Sequence, residues 1–320
     1  MRNIGEIAAF GTAICWTLSA IFFERATKRI GVITVNFYKV VFAVVFLGAS
    51  ATVLRGMPLP LDAPPRAWIF LSLSGVIGFV ITDLFLFSAY KTIGSRLTTL
   101  FLALSPPMTA LLGFIFLGEA MGPRSLLGMA MVAGGIVTTV LGRHDAKSAA
   151  KELAANLRDG GPEAKPAAVA AARFSKEDKR GYLFAFLSAI GQSVGMIFSK
   201  YGLGDYDPVS GTQIRAAVAI VGFAIVALVW DRGKGIKAAP KDGRGMKFTV
   251  AGAIVGPFLG VALSLFAMQR TQAGVVSTLI GLTPVIIIPP SIIFFKQKVR
   301  LVEILGALVA VAGSAVFFMK

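Results

Sequence analysis

The sequence predicts an all-α polytopic membrane protein with ten transmembrane helices, arranged as two inverted five-helix repeats. Three observations lead to this class: the chain is 56% hydrophobic and only 15% charged, apolar runs of helix length recur along it, and its two halves match each other. Soluble domains are about 45–50% apolar and about 25% charged. Apolar runs of about 20 residues are the usual signal for helices that cross a bilayer.

Ten apolar runs can be delimited along the 320 residues. They cover residues 4–23, 32–54, 67–90, 94–118, 122–141, 181–200, 208–230, 247–269, 273–295 and 301–319. The segment between the fifth and sixth runs is rich in Ala, Lys and Glu, which predicts a flexible or weakly helical tether. We therefore expect one five-helix repeat over residues 1–141, a polar linker over 142–180 and a second five-helix repeat over 181–320.

The self-match is clearest between residues 90–135 and residues 268–313. Each stretch has an apolar run with a proline in its middle, then a polar corner, then a glycine-containing run. Ser105-Pro106 aligns with Thr283-Pro284. A long self-match at constant spacing indicates a duplicated unit. Because five spans are an odd number, the two units must cross the membrane in opposite directions, which is the plan of many secondary transporters.

Each half carries the same ordered motifs: a cation early in the second helix (Lys39, Arg215), a proline inside the fourth (Pro106, Pro284) and a glycine-containing fifth helix. In this order the motifs resemble the EamA family of the drug/metabolite transporter superfamily. The resemblance covers nearly all of the chain except the linker. It implies ten helices around a central polar cavity, and export or import of small metabolites by alternating access.

The polar corner after the fourth helix differs between the halves. The first corner is Gly118-Glu119, as is usual in the family, and the second is Lys296-Gln297-Lys298. The glutamate of the second corner is therefore missing, so no role for it is expected in that half. We expect Glu119, like Glu24, to be a solvated or capping residue at a helix end, and the resemblance adds a gating or packing role for Glu119.

The net charge of +16 comes from basic residues in the loops between apolar spans, so it does not indicate a nucleic-acid partner. One side of the predicted membrane topology carries 23 of the 32 basic residues and the other carries seven. This excess predicts that the first side is cytoplasmic and that both termini lie on the opposite side. The family resemblance implies the reverse, because its ten-helix members generally have cytoplasmic termini.

The chain has one cysteine, Cys15, and one histidine, His144, which leave no internal disulfide and no plausible zinc, haem or iron–sulfur site. A Walker loop, an HExxH motif and a Ser/His/Asp arrangement are also absent. We therefore expect no enzyme activity, no cofactor and no ATP-driven pump.

Three charged side chains lie at membrane depth, where each costs at least ~2.5 kcal/mol: Lys39, Asp83 and Arg215. Lys39 and Asp83 lie at similar depths, so they can meet as an ion pair. Arg215 lies at the mirrored depth, and the repeat partner of Asp83 is Val261, so Arg215 has no acid opposite it. Purely structural roles are the alternative. The long side chains of Lys39 and Arg215 can extend to the lipid headgroups, and Asp83 can form an ion pair with Lys39 that has no part in transport.

The functional hypothesis gives these charges a direct part in transport. Arg215 would attract an anionic group of the solute, and Asp83 would bind an amine or carry a coupling proton, with Lys39 tuning its pKa. Trp16 and its repeat partner Gln192 would offer a stacking surface and a hydrogen-bonding group. Tyr90 would extend the aromatic wall of this site. Interhelical packing is the alternative role for these three polar or aromatic residues.

Prolines inside spans free backbone carbonyls and are tolerated where they line a cavity or pack within protein. Pro106, Pro257 and Pro284 are accordingly the hinge candidates, with a static kink as the alternative.

The sequence thus indicates a multi-pass secondary transporter of the inner membrane. Its partners would be the lipid bilayer and a small organic metabolite, amino-acid-like or otherwise amphipathic, and either a monomer or a homodimer fits. Export is favoured only by the family resemblance. Two other classes remain open: a lipid-handling membrane protein or enzyme, which would show a groove facing lipid, and a non-transporting assembly subunit, which would have a filled interior.

Overall fold

The computed structural model describes residues 4–117, 122–156, 164–270, 279–295 and 299–318, and within these ranges the chain is helical apart from short turns. The α-helices are α1 (Ile4–Ile30), α2 (Val32–Arg55), α3 (Pro65–Gly75), α4 (Thr82–Thr92), α5 (Ser95–Leu102), α6 (Ser105–Leu117), α7 (Pro123–Asn156), α8 (Ala164–Leu203), α9 (Pro208–Asp231), α10 (Lys234–Ala238), α11 (Gly243–Ala253), α12 (Val261–Arg270), α13 (Thr283–Ile286), α14 (Ile288–Phe295) and α15 (Leu301–Phe318). Two π-helical segments, Val76–Ile81 and Ile254–Gly260, and a 3₁₀ turn, Ala239–Lys241, lie between them.

The described part of the chain contains six helical stretches that are long and apolar enough to cross a membrane. They are Ile4–Ile30, Val32–Arg55, Pro65–Thr92, Ser95–Phe116, Lys179–Leu203 and Pro208–Asp231. Three shorter apolar helices, Leu126–Leu141, Thr283–Phe294 and Leu301–Val316, fall within further predicted spans. The all-α polytopic membrane class is therefore confirmed, whereas the number of ten crossings stays a prediction.

Helices α7 and α8 extend well beyond their apolar parts. Helix α7 continues to Asn156 and α8 begins at Ala164, so much of the sequence-defined linker 142–180 is helical. The physical reason is its content of Ala, Lys and Glu, which are strong helix formers. The division into two repeats and a linker stays a prediction.

The closest helix pairs join the two halves of the chain. Helix α7 packs against α15, α2 against α9, α1 against α11 and α12, and both α3 and α4 against α8. Without water to drive association inside a bilayer, such pairs depend on close van der Waals contact, and small residues permit it.

Glycines bring α7 and α15 into backbone contact. A Cβ atom on Gly135 would overlap the carbonyl oxygen of Gly306, and one on Gly313 would lie 2.7 Å from the carbonyl oxygen of Gly128. The self-match aligns Gly128 with Gly306 and Gly135 with Gly313, so exchanging the two halves turns one of these contacts into the other. These glycines are required by the approach of two backbones rather than by an unusual φ angle.

The bundle has two ends, which we name after the glycines at which the chain first reverses. At the Gly31 end α1 turns directly into α2, and at the Gly56 end α2 stops; these glycines have φ angles of 85° and 73°, which glycine adopts without steric strain. The Gly31 end also holds the exposed ion pair between Arg29 and Asp242. The side of the membrane that each end faces stays a prediction.

Candidate functional site

A cavity of about 450 Å³ lies inside the bundle and is lined by helices from both halves. Its wall is mostly apolar, with a small number of polar and charged groups. Eight of the nine residues that the sequence singled out line it: Trp16, Lys39, Asp83, Tyr90, Pro106, Gln192, Pro257 and Pro284. The volume falls within the range of about 300–1,000 Å³ that is typical of small-molecule sites.

The expected ion pair between Lys39 and Asp83 is present on the cavity wall. Lys39 Nζ donates to Asp83 Oδ2, and the two side chains are 10% and 9% exposed. The ammonium group also lies 4.5 Å from the centroid of the Phe87 ring, a cation–π contact. The charge of the only carboxylate among the described lining residues is therefore already compensated by a neighbour from α2.

The π-helical segment Val76–Ile81 places Asp83 in the first turn of α4. The backbone N–H and the hydroxyl of Thr82 both donate to the carbonyl oxygen of Ile77, five residues earlier, instead of continuing α-helical spacing. Such segments occur frequently at functional sites, because the extra residue redirects the side chains that follow. This segment contains no proline and was not predicted from the sequence.

A second π-helical segment, Ile254–Gly260, begins at the residue equivalent to Val76 in the other half. It contains Pro257, where the sequence analysis predicted a break in the helix. The indole of Trp16 lies against this segment, since a Cβ atom on Gly260 would be 3.5 Å from Trp16 Cε2. The two halves therefore present the same backbone irregularity to the cavity.

Arg215 does not line the cavity itself, but it lies directly behind one part of the wall. Its guanidinium carbon is 4.3 Å from the centroid of the Phe79 ring, and a Cβ atom on Gly78 would be 3.1 Å from its Nη2. Both Phe79 and Gly78 line the cavity, as do Thr212 and Ala216, which flank Arg215 on α9. One aromatic ring thus separates the guanidinium from the cavity.

The guanidinium of Arg215 is only partly satisfied. Its Nε–H is buried and has no hydrogen-bond acceptor. Among the residues that the structure describes, no carboxylate forms an ion pair with it. Asp83 interacts with it only through longer-range electrostatics. The expectation that Arg215 has no acid opposite it therefore agrees with the geometry.

Gln192 and Tyr90 occupy different parts of the cavity wall. Gln192, on α8, is exposed, so its amide is accessible to a solute. Tyr90 is only 5% exposed, and its ring centroid lies 5.4 Å from that of Phe87. It therefore belongs to the floor of the cavity towards the Gly31 end.

A sequence profile of the EamA-like transporter family matches residues 3–141 and 179–319. The chain belongs to the EamA-like transporter family. It is therefore a multi-pass membrane protein of a transporter family rather than of an enzyme family, as the motifs predicted. A comparison with curated protein sequences gives no match. One protein crystal structure, 19% identical in sequence, superposes with a TM-score of 0.59 over 99% of this chain and 96% of the other, a likeness that concerns the fold alone.

In this EamA-like transporter, the fourth span of the first half is broken instead of merely kinked. Helix α5 ends at Leu102 and α6 begins at Ser105, which puts Pro106 at the second residue of a new helix. Pro284 occupies the second residue of α13 in the other half. Proline is favoured in a first turn because its missing N–H has no partner to lose there.

A buried polar layer at the Gly31 end was not foreseen from the sequence. Glu24, expected to be solvated or capping, is fully buried, and its Oε2 accepts a hydrogen bond of 2.6 Å from the backbone N–H of Ser95. It therefore caps α5 from another helix. Arg96 is also buried, and its Nη2 lies 2.7 Å from Glu303 Oε2.

This layer lies between the cavity and the Gly31 end, since Thr99, one turn further along α5, lines the cavity. The signal that could have revealed it is the affinity of carboxylates for helix N-termini, applied to Glu24 and Glu303. Glu119 and Gln297, in the two polar corners, lie outside the described residues. In the described part of the chain, no group of three His, Cys, Asp or Glu side chains is placed to hold a metal ion.

Proposed function

We propose that this protein is a secondary transporter of small organic metabolites, located in the inner membrane, that binds its solute in the cavity and works by alternating access. The observation that carries the proposal is a cavity of about 450 Å³ with a buried ion pair on its wall, in a member of a transporter family. Charges at membrane depth are rare because they are costly, and they mark solute and proton pathways in membrane proteins.

The helix packing supports two inverted repeats. Exchanging equivalent helices turns the contact of α1 with α11 and α12 into the contact of α8 with α3 and α4, and both contacts exist. The same exchange leaves the α2–α9 contact and the α7–α15 contact unchanged. Within the α7–α15 contact it exchanges the two glycine contacts with each other. This is the pattern that a two-fold axis between the repeats produces. Alternating access would then be rocking of the repeats about a central site.

The lining favours an amphipathic solute, amino-acid-like or otherwise. Trp16 offers a flat surface for an apolar or aromatic body, and Gln192 offers both a donor and an acceptor. The apolar wall would hold the body of the solute while few polar groups fix its orientation. The preference for export over uptake is carried over from the family resemblance.

Asp83 is the proposed proton carrier. Protonation would remove its charge and so release Lys39, which lies on a different helix. Uptake or loss of one proton would therefore change the contact between α2 and α4 on the cavity wall. This links the coupling ion to a movement of helices that line the solute site.

Neither alternative class gains support from the structure. A non-transporting assembly subunit would need a filled interior, and the cavity weighs against it. A lipid-handling enzyme would need a nucleophile or an acid–base pair, and the carboxylate among the described lining residues is held by Lys39.

The proposal is tested by reconstituting the purified protein into proteoliposomes and measuring flux of a pooled metabolite library with and without an imposed pH gradient. We expect saturable, gradient-driven accumulation of one solute class. Equilibration without response to the gradient would keep the transporter but remove Asp83 as a proton carrier. Absence of flux for every solute, in vesicles where the protein is folded and inserted, would contradict the proposal.

A further inference from the structure

We infer that the cavity selects amphipathic organic monoanions, solutes with one carboxylate or sulfonate and no ammonium group, and that Arg215 holds the anionic group. This inference rests on the proposed function, because it names the solute class of the same cavity. It narrows that class, since amino acids carry an ammonium group as well.

The first step is the balance of charge around the cavity. Lys39, Asp83 and Arg215 are the charged side chains that the described residues place on or directly behind the cavity wall, and Lys39 and Asp83 neutralise each other. Arg215 is left with no acid in contact among the described residues. Arg215 as a whole is partly buried, and its Nε is fully buried without an acceptor. A bound group that accepts from this N–H and neutralises the guanidinium is therefore stabilised.

The second step is the state of the guanidinium. Its Nε–H is buried without an acceptor, and its guanidinium carbon lies over the Phe79 ring. A guanidinium presents a fork of N–H donors that matches the two oxygens of a carboxylate. The unsatisfied donor therefore points to an oxyanion as the missing partner rather than to a neutral group.

The third step is the route between the cavity and Arg215. Phe79 and Gly78 form the intervening wall, and both belong to the π-helical segment Val76–Ile81. Gly78 has no side chain to cover Nη2, and a Cβ atom added there would approach it to 3.1 Å. A change in the rotamer of Phe79 alone would open the guanidinium to the solute.

The fourth step excludes the ammonium group. Asp83, the carboxylate among the described lining residues that could pair with a solute amine, is already held by Lys39. The amine would also bind near Arg215, which has no ion-pair partner among the described residues, and like charges placed side by side are disfavoured. The expected order of binding is therefore anion first, zwitterion second and cation last.

The inference is tested with solutes that share one body and differ only in charge. 3-Phenylpropionate, phenylalanine and phenethylamine form one such set, and the same three compounds with an isobutyl group in place of the benzyl group form another. 3-Phenylpropane-1-sulfonate serves as a further anion in the flux measurements, because it does not cross bilayers as a neutral acid. Binding is measured by calorimetry on the protein in nanodiscs, and flux in proteoliposomes. We expect the anion to bind about tenfold tighter than the zwitterion, or more.

Variants assign this preference to Arg215. Arg215→Gln should abolish the preference for the anion, and Arg215→Lys should keep the order of binding with weaker affinity, because it retains the charge but loses the fork. Arg270→Gln is the matched control, since the Arg270 guanidinium also lies 4.3 Å from a ring centroid, that of Phe266, but the residue is exposed at the end of α12. It should bind all solutes like the wild type.

Two results would overturn the inference alone: tighter binding of the zwitterion or amine by the wild type, or an unchanged anion preference in a folded Arg215→Gln protein. If Arg215→Gln does not fold, an anion affinity in Arg215→Lys equal to that of the wild type would overturn it. If no solute of any charge binds or moves, the proposed transport function fails, and this inference fails with it.

Discussion

The two halves of the molecule hold equivalent cations in different ways. In the first half Lys39 pairs with Asp83. In the second half the residue equivalent to Asp83 is Val261, and Arg215 instead rests on Phe79 from the opposite half. One half therefore has a closed, neutral pair on the cavity wall, and the other has an incompletely satisfied charge behind it. A duplicated scaffold can thus assign two different tasks to one helix position.

The backbones of the two halves differ much less than their charges. Both carry a π-helical segment at equivalent residues. Ser19 donates to the carbonyl oxygen of Gly252 at 3.0 Å, and at the equivalent crossing Ser74 donates to that of Gly195 at 2.6 Å, from the other helix of the pair. The helices approach closely at both crossings. The serine hydroxyl comes from α1 in one crossing and from α3, the equivalent of α11, in the other.

Breaking the paired half should have the largest effect. Asp83→Asn is expected to abolish transport in a protein that still inserts, because it removes the titratable group. Lys39→Met should destabilise the protein by about 3–5 kcal/mol, since it leaves the Asp83 carboxylate buried without a partner. Flux in proteoliposomes and thermal unfolding in detergent measure the two effects.

The double variant Lys39→Met/Asp83→Asn separates stability from function. It removes both charges of the pair together, so it should unfold close to the wild-type temperature and still fail to transport. Wild-type flux in Asp83→Asn would remove Asp83 from the mechanism.

The next largest effect is expected at the glycine contact between α7 and α15, which joins the two halves. Gly135→Ala should lower the free energy of unfolding by about 1–3 kcal/mol, because the added methyl group overlaps the Gly306 backbone. Gly134→Ala is the matched control, since its Cβ atom would meet nothing within 4 Å, and we expect it to stabilise the helix by about 0.4–1 kcal/mol. Equal unfolding temperatures for the two variants would argue against this crossing.

Making the halves alike in charge should affect solute binding more than stability. Val261→Asp places an acid on the cavity wall, at the position equivalent to Asp83, where its charge opposes that of a bound anion. We expect anion affinity to fall about tenfold, measured by calorimetry in nanodiscs. Val261→Asn controls for polarity, and equal anion affinity in both folded variants would indicate that the balance of charge in the cavity does not set anion affinity.

The smallest effect is expected at the exposed Gly31 end. The backbone N–H of Gly245 and the Arg29 guanidinium hold the pKa of Asp242 below its usual range. The stability that this carboxylate contributes is therefore fully present above the ordinary aspartate pKa and is lost as the pH falls through the lowered value. Unfolding temperature against pH should show a slightly smaller acid-side drop in Asp242→Asn, and identical curves would mean that the contact adds nothing.

The sequence allowed the Lys39–Asp83 pair to be predicted because depth along two helices depends only on counting residues from their ends. It did not reveal the contacts of Glu24 with Ser95 or of Arg96 with Glu303, which depend on how three helix ends meet. The π-helical segment at Pro257 had a sequence signal, whereas Val76–Ile81 had none, because backbone spacing there is set by packing and not by a proline.

The most direct test of a solute site between the two halves uses Trp16 as an internal reporter. The chain has three tryptophans, and Trp68 and Trp230 do not line the cavity. In the variant Trp68→Phe/Trp230→Phe, a transported solute should change the fluorescence of Trp16 saturably, with a half-saturation that follows the one for flux. A variant that transports normally while the emission of Trp16 does not respond to the solute would place the binding site elsewhere and contradict this account.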